Sequence, residues 1–324
     1  MKAIYYGGVM RGGAMLLAVW VFAIAQQKPA QQPAEQPAPQ AQDSGHAGAV
    51  QIQMRNVNFR LARDIVLEVR TLRGELQRTK PEVPVTFDDP ESFIVKIDAA
   101  QVAISPASLT ALMNSYVLAY DQSPIKNVTV TIIGNRLIQK GTVHKKIDIP
   151  FEIEGSLSPT DDGNIRVHAD KIKSAHLPVK GLLHLFGEDL SKLVNQNPAR
   201  GMKVEGDDII LTPPTLTPAP HLEGRVTRVS IADGKIVQVF DSGRHPAPLS
   251  PPFRSAAYLY QRGGILRFGK LTMNDADLEI VGDRPDVFDF FQREYQKQLV
   301  AGYSKNTTAN GLVAHMLDYS HFRK

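Results

Sequence analysis

Residues 147–173 read IDIPFEIEGSLSPTDDGNIRVHADKIK, and this stretch decides the fold. Apolar side chains, or a glycine, occupy every second position from Ile147 to Leu157, with charged and polar residues between them. Such alternation is typical of a β-strand with one buried and one solvated face. Pro150 lacks an N–H donor, which predicts a sheet edge or a bulge at that position. We therefore predict a long strand whose apolar face lines the core.

A hairpin is predicted to follow this strand. Residues 161–163, Asp-Asp-Gly, have the composition of a three-residue loop in which the glycine is left-handed. On the return strand Ile172 is out of step with the preceding alternation, which predicts a β-bulge near Asp170. Residues 171–173 then face residues 152–154, so that lysines lie opposite glutamates. Because bulges bend sheets, we expect a curved sheet around an apolar interior.

Helices and further strands are predicted on either side of this hairpin. Ser105-Pro106 has the pattern of a capped helix start, and apolar residues continue at helical spacing to Tyr120. A second amphipathic stripe covers about residues 180–194. Later strands turn at Asp233-Gly234, and a last helix is predicted from about Asp286. The predicted fold class is α+β and β-rich: a long, curved antiparallel sheet that wraps two short amphipathic helices, with additional C-terminal strands and a helix.

The N-terminal residues 1–25 have the composition of a signal peptide. Lys2 and Arg11 precede an uncharged apolar run that ends in Ala23-Ile24-Ala25, a typical cleavage sequence. The run is shorter than the roughly 20 residues of a membrane-spanning helix. We therefore predict export to the periplasm or out of the cell. The alternative is an uncleaved N-terminal membrane anchor.

The remainder divides by composition into a tether and a domain. Residues 26–50 are almost entirely Gln, Pro, Ala, Ser, Gly and Asp, which predicts a disordered tether. Residues 51–324 are predicted to form the β-rich domain, with a possible subdivision into 51–220 and 221–324. The sequence has no cysteine. Disulfides and a lipid-modified cysteine anchor are therefore excluded, and the apolar core must stabilise the fold.

Charge and motifs narrow the classes of function. The 37 basic and 33 acidic residues leave a net charge of +2 once Lys2 and Arg11 are removed with the signal peptide. This small charge gives no electrostatic footprint for nucleic acid. No metalloprotease, serine-hydrolase, P-loop or dinucleotide motif occurs, so we predict no catalytic residue and no cofactor. The alternating carboxylates of residues 275–279 fit no calcium loop and predict a solvated strand face.

The order of elements in the middle of the chain resembles that of a known family. Over about residues 93–211 the order is strand, Ser-Pro-capped helix, strand, long hairpin, then Leu177-Pro178 before the second amphipathic stripe, and Gly134-Asn135-Arg136-Leu137 precedes the hairpin. This third of the chain resembles the LmeA-like family of exported bacterial phospholipid-binding proteins, and more distantly tubular lipid-binding domains. The resemblance implies a curved sheet around helices, an acyl chain between them and no catalytic residue.

Together these observations predict an exported, non-catalytic binder of lipid or another apolar component of the cell envelope, with possible contact to a membrane surface. A bent sheet faced by two helices favours an apolar slot between them, although the same side chains could fill a solid core. The predicted ligand-lining residues are Leu109, Leu112, Met113, Tyr116, Ile132, Ile149, Phe151, Ile153, Leu157, Leu182, Leu185 and Phe186. Lys145 and Lys180 are candidates for contact with a lipid headgroup. The alternative is a structural or scaffolding envelope protein that binds a protein partner through sheet edges or its C-terminal tail.

Overall fold

The computed structural model of this chain describes residues 48–121, 123–144, 147–174, 201–307 and 309–322. Over these residues the chain forms two β-sheets and several short helices, so the predicted β-rich character is confirmed. Sheet A is a mixed sheet of 12 strands in the described chain. Sheet B has six antiparallel strands there and curls into a half-barrel. The single long sheet expected from the sequence is therefore divided into two.

Sheet A combines strands from both ends of the chain. Its strands are β1 (Val50–Ala62), β2 (Ile65–Arg78), β3 (Val85–Thr86), β4 (Phe93–Ile104), β11 (His221–Glu223), β12 (Val226–Ala232), β13 (Lys235–Asp241), β14 (Tyr258–Phe268), β15 (Leu271–Val281), β16 (Phe288–Phe291), β17 (Tyr303–Asn306) and β18 (Leu312–His315). The order across the sheet is β12-β13-β4-β2-β1-β14-β15-β18-β17. Three short strands pair outside this path: β11 with β4, β16 with β1 and β3 with β14.

Sheet B contains residues 147–173, whose alternation predicted the long hairpin. Its strands are β5 (Ile125–Ile133), β6 (Arg136–His144), β7 (Asp148–Pro159), β8 (Ile165–Lys173), β9 (Met202–Glu205) and β10 (Asp208–Leu211). They lie in the order β5-β6-β7-β8-β10-β9. Every neighbouring pair is antiparallel, which is the arrangement that short hairpin connections produce.

The predicted β7–β8 hairpin is confirmed in detail. Gly163 closes the loop with a φ of 87°. Asp170 is the extra residue of a bulge, because pairing jumps from Gly155↔Ala169 to Glu154↔Lys171. On the far side of the bulge, lysines lie opposite glutamates. Lys171 Nζ is 3.3 Å from the Glu154 carboxylate. Exposed pairs of this kind contribute at most about 1 kcal/mol each, so they set register more than stability.

The edge or bulge predicted at Pro150 stays a prediction, because the position that would face it across β8, residue 175, lies outside the described residues. Pro150 lies in β7 opposite Thr142 of β6. On the other side of β7, pairing with β8 ends at Glu152, two residues after the proline. The described part of β8 therefore requires no donor from position 150.

The helices of the described chain are short. They are α1 (Pro106–Leu112), which continues as a π-helical turn over Met113–Val117, α2 (Pro213–Leu216) and α3 (Tyr295–Val300). Three 3₁₀ turns occupy Pro90–Ser92, Gln292–Glu294 and Tyr319–Phe322. The predicted start of α1 is confirmed, because Ser105 Oγ accepts the Ser108 N–H at 3.1 Å and Pro106 is the first helical residue. The second predicted helix, about residues 180–194, lies outside the described residues.

The helix predicted from about Asp286 is wrong at its start. Residues 288–291 form strand β16, which pairs in parallel with β1, and α3 begins only at Tyr295. All four residues of β16 are buried, whereas an amphipathic helix would expose one side of the run. The aromatic rings of Phe288 and Phe290 pack on sheet A, and this burial outweighs the helical spacing of the apolar residues.

A buried ion pair joins β1 to β16. Arg60 Nε and Nη2 donate to the two carboxylate oxygens of Asp289 at 2.6 and 2.9 Å. Both side chains are almost fully buried, and the Tyr319 ring covers the guanidinium at 5.5 Å. The Asp289 N–H donates to Asp318, and Gln298 donates to the Asp289 carbonyl oxygen. The two charges therefore pair bidentately, and the backbone of Asp289 is hydrogen-bonded as well, as a buried pair requires.

Replacement of Arg60 by methionine should leave the Asp289 carboxylate buried without its counter-charge. We expect Arg60→Met to lower the free energy of unfolding by about 3–5 kcal/mol, and the double variant Arg60→Met/Asp289→Leu to lose clearly less. Urea unfolding followed by circular dichroism measures both. Equal losses in the single and double variants would contradict an unpaired buried charge as the cause.

Candidate functional site

An apolar cavity lies between the two sheets, where α1 and α2 also meet them. We call it the intersheet slot, and its volume is about 70 Å³. Sheet A and the helices line it with Leu67, Val102, Ile104, Leu222, Ile236, Gln238, Phe240, Leu109, Leu112, Met113, Pro213, Leu216 and Thr217. Sheet B lines it with Leu137, Gln139, Leu157, Ile165, Val167, Met202, Ile209 and Leu211. Apolar side chains from four packing elements thus converge on one space.

Side-chain hydrogen bonds fix α1 between the sheets. Ser108 Oγ accepts the Val66 N–H of sheet A at 3.2 Å. On the side of sheet B, Thr110 Oγ1 accepts the Val130 N–H at 2.9 Å. The Asn114 amide accepts from the Val128 N–H and donates to the Val128 carbonyl oxygen, where β5 is bulged. The polar side of α1 therefore holds the helix to both sheets while Leu109 and Leu112 face the slot.

The structure brings some of the predicted ligand-lining residues to the slot. Leu109, Leu112, Met113 and Leu157 line it. The other described members of that set belong to the surrounding core and do not line the cavity: Tyr116, Ile132, Ile149, Phe151 and Ile153. The remaining members lie outside the described residues: Leu182, Leu185, Phe186, Lys145 and Lys180.

Most of the slot was not predicted from the sequence, because only four of its 21 lining residues belong to the predicted set. The contribution of sheet A, for example Val102, Ile236 and Phe240, was missed because nothing local indicates which sheet faces which. The polar lining residues were also missed. A signal for one of them exists, since Gln139 shares the inward parity of Leu137 on β6.

The carboxylates of β15 are not the solvated row that their alternation predicts. Asp277 Oδ2 lies 3.1 Å from Arg262, and the Tyr260 hydroxyl donates to Asp277 at 2.9 Å. Glu279 is fully buried beneath the proline-rich loop that joins β13 to β14. Its Oε2 accepts the N–H of Phe253, a residue of that loop, at 2.6 Å. Its Oε1 has no partner among the described residues. Burial raises the pKa of Glu279, although the backbone N–H donors oppose this shift.

Comparison of the chain with protein-family models, curated proteins and solved structures gave no match. The resemblance to LmeA-like proteins therefore stays a prediction. In the described part of the chain no helix has the length and apolar character to cross a membrane.

The buried Glu279 carboxyl should make stability depend on pH. Since its pKa is raised in the native state, the folded protein retains this proton to a higher pH than the unfolded chain does. The free energy of unfolding then falls as the pH rises above about 4 and through the native pKa. Glu279→Gln cannot ionise, so its stability relative to wild type should increase over that interval.

Urea unfolding at a series of pH values tests this expectation. Asp275→Asn is the control, because Asp275 is an exposed carboxylate on the same strand. A Glu279→Gln curve that runs parallel to wild type at all pH values would show that Glu279 does not cause the dependence.

Proposed function

We propose that this chain is an exported, non-catalytic protein that binds the apolar part of a lipid in the intersheet slot. One observation carries the proposal: two sheets and two helices direct apolar side chains into a common cavity. Apolar lining with a few polar groups is typical of sites for greasy ligands. The signal-like N-terminus supports export, and the Pro/Gln-rich residues 26–50 support action near an envelope surface.

The slot must widen to admit an acyl chain. Its volume of about 70 Å³ is below the roughly 300–1,000 Å³ of ligand pockets in general. Widening is compatible with the fold because α1 and the turn after it are held to β2 and β5 by side chains. The hydrogen bonds come from Ser108, Thr110 and Asn114, and none of them belongs to a β-ladder. The β-ladders of both sheets can stay intact. Each buried methylene of a ligand contributes about 0.8 kcal/mol, which offsets the side-chain contacts that are lost.

The curved sheet and its helices have defined roles in this proposal. The half-barrel of sheet B supplies one wall, and the inner face of sheet A supplies the other. Helix α1, with Leu109 and Leu112, lies at the seam and separates the walls. The acyl chain would replace helix side chains against the two walls.

A scaffolding protein of the envelope is the second candidate. Two observations favour it: the small volume of the slot, and strand β17 at the end of sheet A. All four residues of β17 are exposed, and its outer side pairs with no strand of the described chain. An unpaired edge can accept a strand from another protein.

The proposal predicts lipid in the purified protein and its loss when the slot is blocked. We expect Leu157→Trp to reduce bound lipid several-fold, because the larger ring occupies the cavity that Leu157 lines. Leu271→Trp is the matched control, since Leu271 is exposed at the distant β14–β15 turn. Native mass spectrometry of the mature protein from its exported fraction, followed by organic extraction, measures the amount of bound lipid.

The outcomes separate the two candidates. A stoichiometric acyl ligand that Leu157→Trp removes and Leu271→Trp retains supports the slot. A ligand-free mass that is unchanged after incubation with lipids would overturn the proposal and favour the scaffold.

A further inference from the structure

Three polar side chains lie among the apolar residues of the slot. They are Gln139 on β6, Gln238 on β13 and Thr217 directly after α2. Thr217 is only 6% exposed, and its hydroxyl has no hydrogen-bond partner among the described residues. An unpaired buried hydroxyl destabilises a protein, because it has lost its bonds to water without replacement. A group of this kind beside a cavity indicates a partner that the described residues do not supply.

The two glutamines come from opposite walls of the slot. Gln139 has the same parity as the buried Leu137, and Gln238 has the same parity as Ile236 and Phe240. Both are partly buried. Each amide can donate and accept, and the threonine hydroxyl can do both as well. The slot thus presents uncharged donors and acceptors from three separate elements.

We infer that the slot encloses the polar end of its lipid as well as the acyl chain, and that the oxygens of this polar end are uncharged, so that the ligand class is a neutral lipid such as an acylglycerol. This inference rests on the proposed function. Amides and a hydroxyl match an ester or alcohol in both donor and acceptor roles. An ionised carboxylate or phosphate would lose its hydration on entering the slot, and neutral side chains do not replace that hydration.

The test compares three lipids that have the same palmitoyl chain and different polar groups. They are monopalmitoylglycerol, palmitate and palmitoyl lyso-phosphatidylglycerol, each delivered from cyclodextrin to the full mature protein at neutral pH. Competition in native mass spectrometry gives their relative occupancies. We expect monopalmitoylglycerol to exceed each charged lipid by about tenfold, which corresponds to about 1.4 kcal/mol.

Substitutions of the polar groups should reduce that preference. We expect Thr217→Val, Gln139→Met and Gln238→Met each to lower monopalmitoylglycerol occupancy about fivefold, the effect of one neutral hydrogen bond, with palmitate unchanged. The control is Gln101→Met, because Gln101 lies on the opposite face of sheet A. Thermal unfolding of each variant shows whether it is folded, and Thr217→Val should be at least as stable as wild type because it removes an unpaired hydroxyl.

Each outcome bears on one of the two claims. Equal occupancy of the three lipids, or a preference for a charged one, overturns the inference while binding in the slot stands. Loss of preference in Gln101→Met to the same extent as in the slot variants also overturns it. Failure of all three lipids to bind overturns the proposed function, and the inference with it.

Discussion

Each of the two sheets has one apolar face, and folding buries both faces in one shared core. Buried apolar side chains of sheet A, sheet B and α1 form one continuous cluster, including Leu67, Leu112 and Val167. Neither sheet can bury its inner face alone, because a half-barrel and an open sheet both leave that face exposed. The sheets also meet at their margins, where the N–H of Val226, the first residue of β12, donates to the Gly163 carbonyl oxygen at 2.9 Å. The fold therefore depends on the fit of one sheet against the other.

This dependence explains where a ligand site can arise. Helices α1 and α2 lie where the two sheets meet, and their side chains line part of the slot. Interiors are otherwise close-packed, so an apolar cavity marks the place where packing is incomplete. The contacts there are between side chains, whereas the hydrogen-bonded ladders lie within each sheet. The intersheet slot can therefore widen without breaking the hydrogen-bonded ladder of either sheet.

Buried polar groups behave differently in different parts of the molecule. Around Arg60 and Asp289 the charges, amides and backbone groups satisfy one another, and this region is structural. At the slot the Thr217 hydroxyl has no partner in the described chain. Gln261 is a third case, since its buried amide is unpaired there although it does not line the slot. An unpaired polar group therefore points to a ligand only when it lies beside a space that can receive one.

Local pattern determined the elements of this protein wherever the pattern was strong. The alternation in residues 147–173 fixed the β7–β8 hairpin with its left-handed glycine and its bulge at Asp170, because register follows from which side chains face the core. The Ser105-Pro106 cap fixed the start of α1.

Pattern failed at residues 288–291, where apolar spacing fits a helix but pairing with β1 makes a strand. Only the tertiary structure decided that the strands form two sheets, that sheet A supplies one wall of the slot, and that Glu279 is buried. These outcomes depend on contacts between residues far apart in the chain, and a sequence pattern records which face of an element is apolar but not which other face covers it.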